Sequence, residues 1–151
     1  MHRQRGLTLL ELLVVLAIIA LATAGVSLAL RDDRPTQLER EAQRLIAVLE
    51  AARAQSRTSG VVMTWQPTPQ GFTIQTLPPR PTQPPELHTW LQADTQASLQ
   101  SNPDQPPALA PANGVVLGPE PIIPAARIIL SQPPFQVTVA TDGLRPFAVL
   151  P

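Results

Sequence analysis

Two hydrophobic patterns of different character divide the chain. From Leu12 to Leu30, 19 consecutive residues carry no charge. As a helix that run spans about 28 Å, close to the thickness of a bilayer's hydrocarbon core. His2, Arg3 and Arg5 precede it and "RDDRP" follows it, so the charge bias keeps a short leader cytoplasmic and exports the remainder. The second pattern lies in "TQLEREAQRLIAVLEAARAQSR", residues 36–57. Leu38, Ala42, Leu45, Leu49 and Ala52 recur at i, i+4, i+7, i+11 and i+14, one stripe of an amphipathic helix, broadened by Ile46 and Val48. Thr36 and Glu39 fit a capping box behind Pro35. The local signals therefore start this helix at Thr36 and make "RDDRP" a break or a kink. Asp32, Asp33, Arg34, Glu39, Arg40, Glu41 and Arg44 read as a mostly solvated face, with the stripe packed on a sheet.

Past residue 60 the period changes to two. "GVVMTWQ" (60–66) and "GFTIQTL" (71–77) flank "PTPQ" and predict a β-hairpin with Met63, Trp65, Phe72 and Ile74 inward. The stretch 78–114 is proline-rich and polar. A structureless loop of that length is improbable inside a compact domain, so "LHTWLQ" and "GVVLG" are expected to dock as short strands. "AARIIL" (125–130) is a further strand. "FQVTVATDGLRPFAVL" predicts a terminal hairpin: Phe135, Val137 and Val139 alternate, and Asp142-Gly143 supplies a two-residue turn. Pro146 in the returning run implies an edge strand or a bulge. The expectation is an α+β fold, with an antiparallel β-sheet domain from 60 to 151 and a proline-rich insertion at 78–114.

Composition narrows the chemistry. The 151 residues suit one domain, with 121 of them after Leu30. There is no cysteine, which excludes a disulfide scaffold, a thiolate metal site and a thiol nucleophile. Seventeen of the 19 prolines lie between Pro67 and Pro146, which limits long regular elements there. His2 lies in the leader, leaving His88 as the one histidine beyond it, and it reads as a packed or exposed bystander. Trp65 and Trp90 read as core. No phosphate loop, nucleophile elbow or paired-histidine motif occurs. An enzyme is not expected, and no cofactor is implied. Nine arginines stand against 11 acids after the leader, and only Arg80, Arg127 and Arg145 follow Arg57. That balance does not favour nucleic-acid binding.

One residue disturbs the lipid-compatible run. Glu11 lies in "RGLTLLELLVV", where a carboxylate is unfavourable by roughly 2.5–3.5 kcal/mol when central and less near an interface. A plain signal peptide, for which "ATA" at 22–24 offers a cleavage site, leaves Glu11 unexplained. An ordinary anchor does too, unless Glu11 lies shallow enough to reach headgroups. Cleavage after Gly6 supplies a partner, because Leu7 then carries a free amine four residues from the carboxylate. In an assembly, Glu11 of one subunit would neutralise that amine on its neighbour.

"RG-LTLLE-LLVVLAIIA" resembles the class III signal of type IV pilins and type II secretion pseudopilins. In that family a glycine precedes the cut, an N-methylated residue follows, and a glutamate stands at the fifth mature position. The resemblance puts Gly6 at the cleavage position, Leu7 at the methylated first residue (where phenylalanine is more usual) and Glu11 at the assembly glutamate. It implies a leader at 1–6, a transmembrane and filament-core helix at 7–30, and a periplasmic pilin-like domain at 31–151. It also implies one long helix, membrane half plus amphipathic half, running into the domain. The order of helix, hairpin, insertion, "ARIIL" and terminal hairpin resembles the H-type minor pseudopilin and related minor type IV pilins. Glu120 and Asp142 are isolated, unlike the acidic calcium loop of major pseudopilins, and the cysteine pair of many type IV pilins is missing. The implied partners are a prepilin peptidase, the major pseudopilin and other minor pseudopilins at the bacterial inner membrane. The alternative is a minor type IV pilin that primes pilus assembly.

Overall fold

The computed structural model describes residues 9–29, 34–81, 84–100 and 114–150, with side chains of 23–29 excepted. It divides into two units, Met1–Asp33 and Arg34–Pro151. The first contains helix α1, Leu9–Ala29. Its sequence is apolar all round, with no amphipathic stripe, and its described large side chains are exposed.

The second unit begins with helix α2, Arg34–Ser59. This is two residues longer at each end than the capping signals predict. Pro35 occupies the first turn, where its missing N–H costs nothing, so Thr36 and Glu39 lie inside the helix and do not form its cap. The break or kink expected at "RDDRP", and the continuity of the one long helix that the resemblance implies, fall on residues 30–33, which lie outside the described residues. At the far end Gly60 adopts φ +67° and its N–H donates to the Ser56 carbonyl at 2.9 Å, ending the helix as a left-handed cap. The whole predicted stripe, Leu38 to Ala52, is buried.

Eight strands follow: β1 Val62–Thr68, β2 Gly71–Leu77, β3 Glu86–Thr89, β4 Gln96–Leu99, β5 Val115–Leu117, β6 Ala126–Gln132, β7 Phe135–Thr141 and β8 Ala148–Leu150. They form two four-stranded antiparallel sheets, ordered β3-β2-β1-β5 and β4-β6-β7-β8. The single sheet expected from the pattern is therefore two. The β1–β2 hairpin forms as predicted, with Trp65 opposite Ile74, Met63 opposite Thr76, and all four predicted inward residues buried. α2 packs across both sheets, against β1 and β5 of one and β6, β7 and β8 of the other. The stripe meets Trp65, Phe72, Leu117, Ile128, Leu130 and Val139 in one core.

Within 78–114, "LHTWLQ" contributes to edge strand β3 as expected. Two further expectations need correction. Strand β4, "QASL", came from a stretch read as polar loop. The terminal hairpin is also different. β7 pairs with β6 along its whole length across Pro133-Pro134, and β8 returns only after the connector 142–147. Asp142-Gly143 is thus the start of a longer loop, not a two-residue turn. Pro146 ends that loop ahead of β8, which is an edge strand as expected.

Candidate functional site

The sequence places its chemistry at the N-terminus, on Gly6, Leu7 and Glu11. Gly6 and Leu7 lie outside the described residues. Glu11 stands in the first turn of α1, exposed, where the unpaired N–H groups of a helix N-terminus favour a negative charge. Leu9, Leu10, Leu12 and Leu13 surround it, each more than half exposed. Over its described side chains, residues 9–22, the helix therefore offers an apolar surface interrupted by one carboxylate near its start. Water is a poor solvent for such a surface; lipid or other helices are its natural surroundings. Among the described residues no helix is long and apolar enough to cross a membrane. Described side chains in α1 end at Ala22, so the span over 7–30 stands on the sequence.

The second unit carries buried charged chemistry; the pattern reading put Glu41 and Arg44 on the solvated face and made no assignment for Glu50 or Arg53. Glu41 is 1% exposed and Arg53 is 2% exposed. Arg44 Nη1 donates to Glu41 Oε1 at 3.0 Å and to the Thr89 carbonyl at 2.8 Å. Glu41 Oε2 accepts the Leu91 N–H at 2.6 Å. This pair grips the backbone where β3 ends. Arg53 forms the counterpart. Its Nη2 donates to the carbonyls of Pro121 at 3.0 Å and Gly143 at 3.1 Å, and its Nη1 to that of Arg145 at 3.3 Å. Glu50 lies 3.8 Å from it and accepts the Phe147 N–H at 2.9 Å. This second pair grips the β7–β8 connector and the loop before β6.

Both clamps share one local pattern, Glu-x-x-Arg at 41–44 and 50–53, nine residues apart. At about 100° per residue, nine residues carry the second pair half-way round the helix. One clamp therefore faces the β3 side of the domain and the other the β8 side. A buried guanidinium or carboxylate is tolerated only when paired and hydrogen-bonded, and the loop backbones supply those partners. The repeat was the signal available in the sequence. Arg34, Glu39 and Arg40 are exposed as expected, whereas Glu41 is not, and Arg44 is only partly so.

The connector 142–147 is ordered further by its own side chains. Asp142 Oδ1 accepts the N–H groups of Leu144 at 3.0 Å and Arg145 at 2.8 Å. Those bonds, the Arg145 one foremost, hold the Asp142 carboxyl below its ordinary value. Gly143 takes φ +92° and its carbonyl accepts the Ile123 N–H at 3.1 Å; a Cβ there would collide with the Ile123 carbonyl. His88 stacks on Phe72 with ring centroids 4.9 Å apart and lies 3.5 Å from Glu86, a packed histidine as expected. Trp65 and Trp90 are buried in the same aromatic cluster.

Comparison with known proteins bears on the N-terminus. Residues 1–27 match the prokaryotic N-terminal methylation motif. That motif is the prepilin-type signal of type IV pilin-like proteins, the class that holds pilins and pseudopilins, and it implies processing by a prepilin peptidase. No curated protein matches the chain, and no solved structure does. The α+β architecture of N-terminal helix and antiparallel sheets is consistent with a pilin-like fold.

Proposed function

We propose that this chain is a minor pseudopilin of the H type, a structural subunit of a type II secretion pseudopilus. One observation carries the reading. The methylation motif, the all-apolar helix α1 and its single early carboxylate coincide in one stretch, followed by a separate folded unit. Each part has a task in that reading. Gly6 lets a peptidase approach the backbone at the membrane surface. Leu7 becomes the N-methylated first residue. Glu11 neutralises the Leu7 amine of a neighbouring subunit, and the apolar surface of α1 is buried first by the inner membrane and then by the filament core. The periplasmic unit meets the major pseudopilin and other minor pseudopilins near the tip. The role is mechanical, with no catalytic step and no cofactor. The element order behind α2 and the lack of cysteine support the minor pseudopilin over other members of the class.

Mass spectrometry of the mature chain is the first test, with N-methyl-leucine expected at residue 7. Gly6→Val should leave an uncut precursor. A mature chain starting at Gly25 would establish an ordinary signal peptide and sink the proposal. Deletion of the gene separates the two kinds of filament: lost export with intact pili supports the pseudopilin, and lost pili with intact export supports a minor type IV pilin.

A further inference from the structure

The inner face of the first sheet is only partly covered. α2 packs on β1 and β5, and toward β2 and β3 it leaves a cleft of about 440 Å³, within the usual range of binding cavities. Met63 and Ile74 line it from the sheet, and Ala47 and Ala51 from α2. Both alanines are exposed, so the helix turns small side chains toward a space that larger ones would fill. The opposite rim is the edge strand β3, through Glu86 and His88.

The register of β3 fixes which of its backbone groups face outward. The Trp90 N–H donates to the Gln70 carbonyl at 3.1 Å, and the ladder continues with His88 opposite Phe72 and Glu86 opposite Ile74. Bonded pairs alternate along an antiparallel ladder. Glu86, His88 and Trp90 therefore direct their backbone groups to β2, and Leu87 and Thr89 direct theirs outward. Two devices guard this edge. Pro85, which has no N–H, precedes it. At the far end the Glu41–Arg44 clamp takes the Thr89 carbonyl and the Leu91 N–H. Between them the Leu87 N–H and carbonyl and the Thr89 N–H have no partner among the described residues. The Leu87 side chain, on the sheet face away from the cleft, is half exposed.

We propose that the middle of β3 is a docking edge for an extended, uncharged segment of a different subunit, which adds a fifth strand to the first sheet and closes the cleft. The open backbone groups call for a peptide chain in the β conformation. A helix has its own N–H and carbonyl groups bonded internally along its flank, and an acyl chain has none to offer. Charge argues for an uncharged occupant. The charged side chains here are matched within the fold, Arg44 with Glu41 at 3.0 Å and Glu86 beside His88 at 3.5 Å. Residues of the added strand opposite Glu86 and His88 would turn into the cleft over Met63 and Ile74, and the residue opposite Leu87 would cover that side chain. The segment is therefore apolar on both faces. A few main-chain bonds make a weak contact, sufficient between chains already held together. The inference rests on the filament reading only for the partner's being another subunit.

The test places the photocrosslinking residue p-benzoylphenylalanine at position 86 of the full chain, where the side chain is 75% exposed, and irradiates membranes of the producing bacterium. An adduct with another protein that carries its own methylation motif is expected. The linked peptide, sequenced by mass spectrometry, should be an uncharged apolar run. Leu87→Pro removes an outward N–H and leaves the β2 pairing intact, so it should abolish the adduct. Leu87→Ala keeps the backbone bonds and should keep the adduct. Thr89→Pro removes the second outward N–H and should repeat the loss. Hydrogen-exchange protection of the Phe72 and Ile74 amides, which bond to β3, should be unchanged in both proline variants, separating a lost partner from a lost strand. An adduct that survives both prolines overturns the proposal, as does one lost equally in Leu87→Ala. So does an adduct joining two copies of this chain, or no adduct at all. Mass spectrometry of the same samples keeps the two readings apart, because a mature N-methylated Leu7 without an adduct removes this docking edge and leaves the pilin-like processing intact.

Discussion

Replacing Arg53 by methionine tests whether the second clamp holds the domain together. The variant keeps an unbranched stem in the core beside α2 but removes three hydrogen bonds to Pro121, Gly143 and Arg145. It also strips Glu50 of its cation, leaving that carboxylate with the Phe147 N–H. Breaking a fully buried pair costs about 3–5 kcal/mol. Glu50 is 28% exposed and can partly rehydrate, which places the expected loss near the lower limit, about 3 kcal/mol. For a domain of this size that corresponds to a fall in Tm of roughly 12 °C. With a urea slope of about 1.5 kcal/mol/M it moves the midpoint by about 2 M. The assay is denaturation of the unit from Arg34 onward, which holds the core cluster Leu38 to Phe147. Hydrogen exchange should show the Gly143 and Phe147 amides losing protection. The double variant Glu50→Gln, Arg53→Met should cost less than the two single losses combined, because the partners share one network. A loss under about 1 kcal/mol would place Arg53 among ordinary surface charges and refute the clamp; strict additivity would refute the coupling.

Three further outcomes follow from the same structure. Leu45→Ala empties a fully buried site in the α2 stripe and should cost about 2–5 kcal/mol in the same denaturation assay; an unchanged midpoint would mean the stripe does not pack on the sheets. Glu11→Gln should be inserted and cut after Gly6 yet fail to crosslink to the major pseudopilin, and Glu11→Asp should be partly defective; normal incorporation of the glutamine variant would remove the amine-pairing argument. Asp142 has a lowered pKa, so the stability it contributes is complete above the ordinary carboxylate value near about 4 and is lost as pH falls through the lowered one. Acid titration should therefore show Asp142→Ala less stable than the wild type at neutral pH, with the gap closing at the acid end; a gap constant down to the lowest pH would show that the Asp142 charge contributes nothing.

What the sequence determined by itself is what local physics determines. The 3.6-residue stripe of α2 has a single way to be buried, and Leu38 to Ala52 all sit in the core. The period-two runs of β1, β2, β6 and β7 carry their own inward faces. The N-terminal motif is likewise contiguous, since a glycine, a glutamate and an apolar run coincide within a few turns of one helix. What the tertiary structure decided are choices among partners distant in sequence. "QASL" alternates, with Ala97 and Leu99 packed against the core, but four residues amid polar neighbours are too short a pattern to stand out, and pairing with the edge of β6 makes them a strand. β7 pairs on both sides, with β6 over seven residues and with β8 over three, and the tight turn falls on the longer pairing. Glu41 and Arg53 are of the same residue types as the solvated Glu39 and Arg40, two and 13 positions away on the helix. They are buried because the ends of β3 and the β7–β8 connector, 50 and 90 residues further along, bring backbone amides and carbonyls that take the place of water.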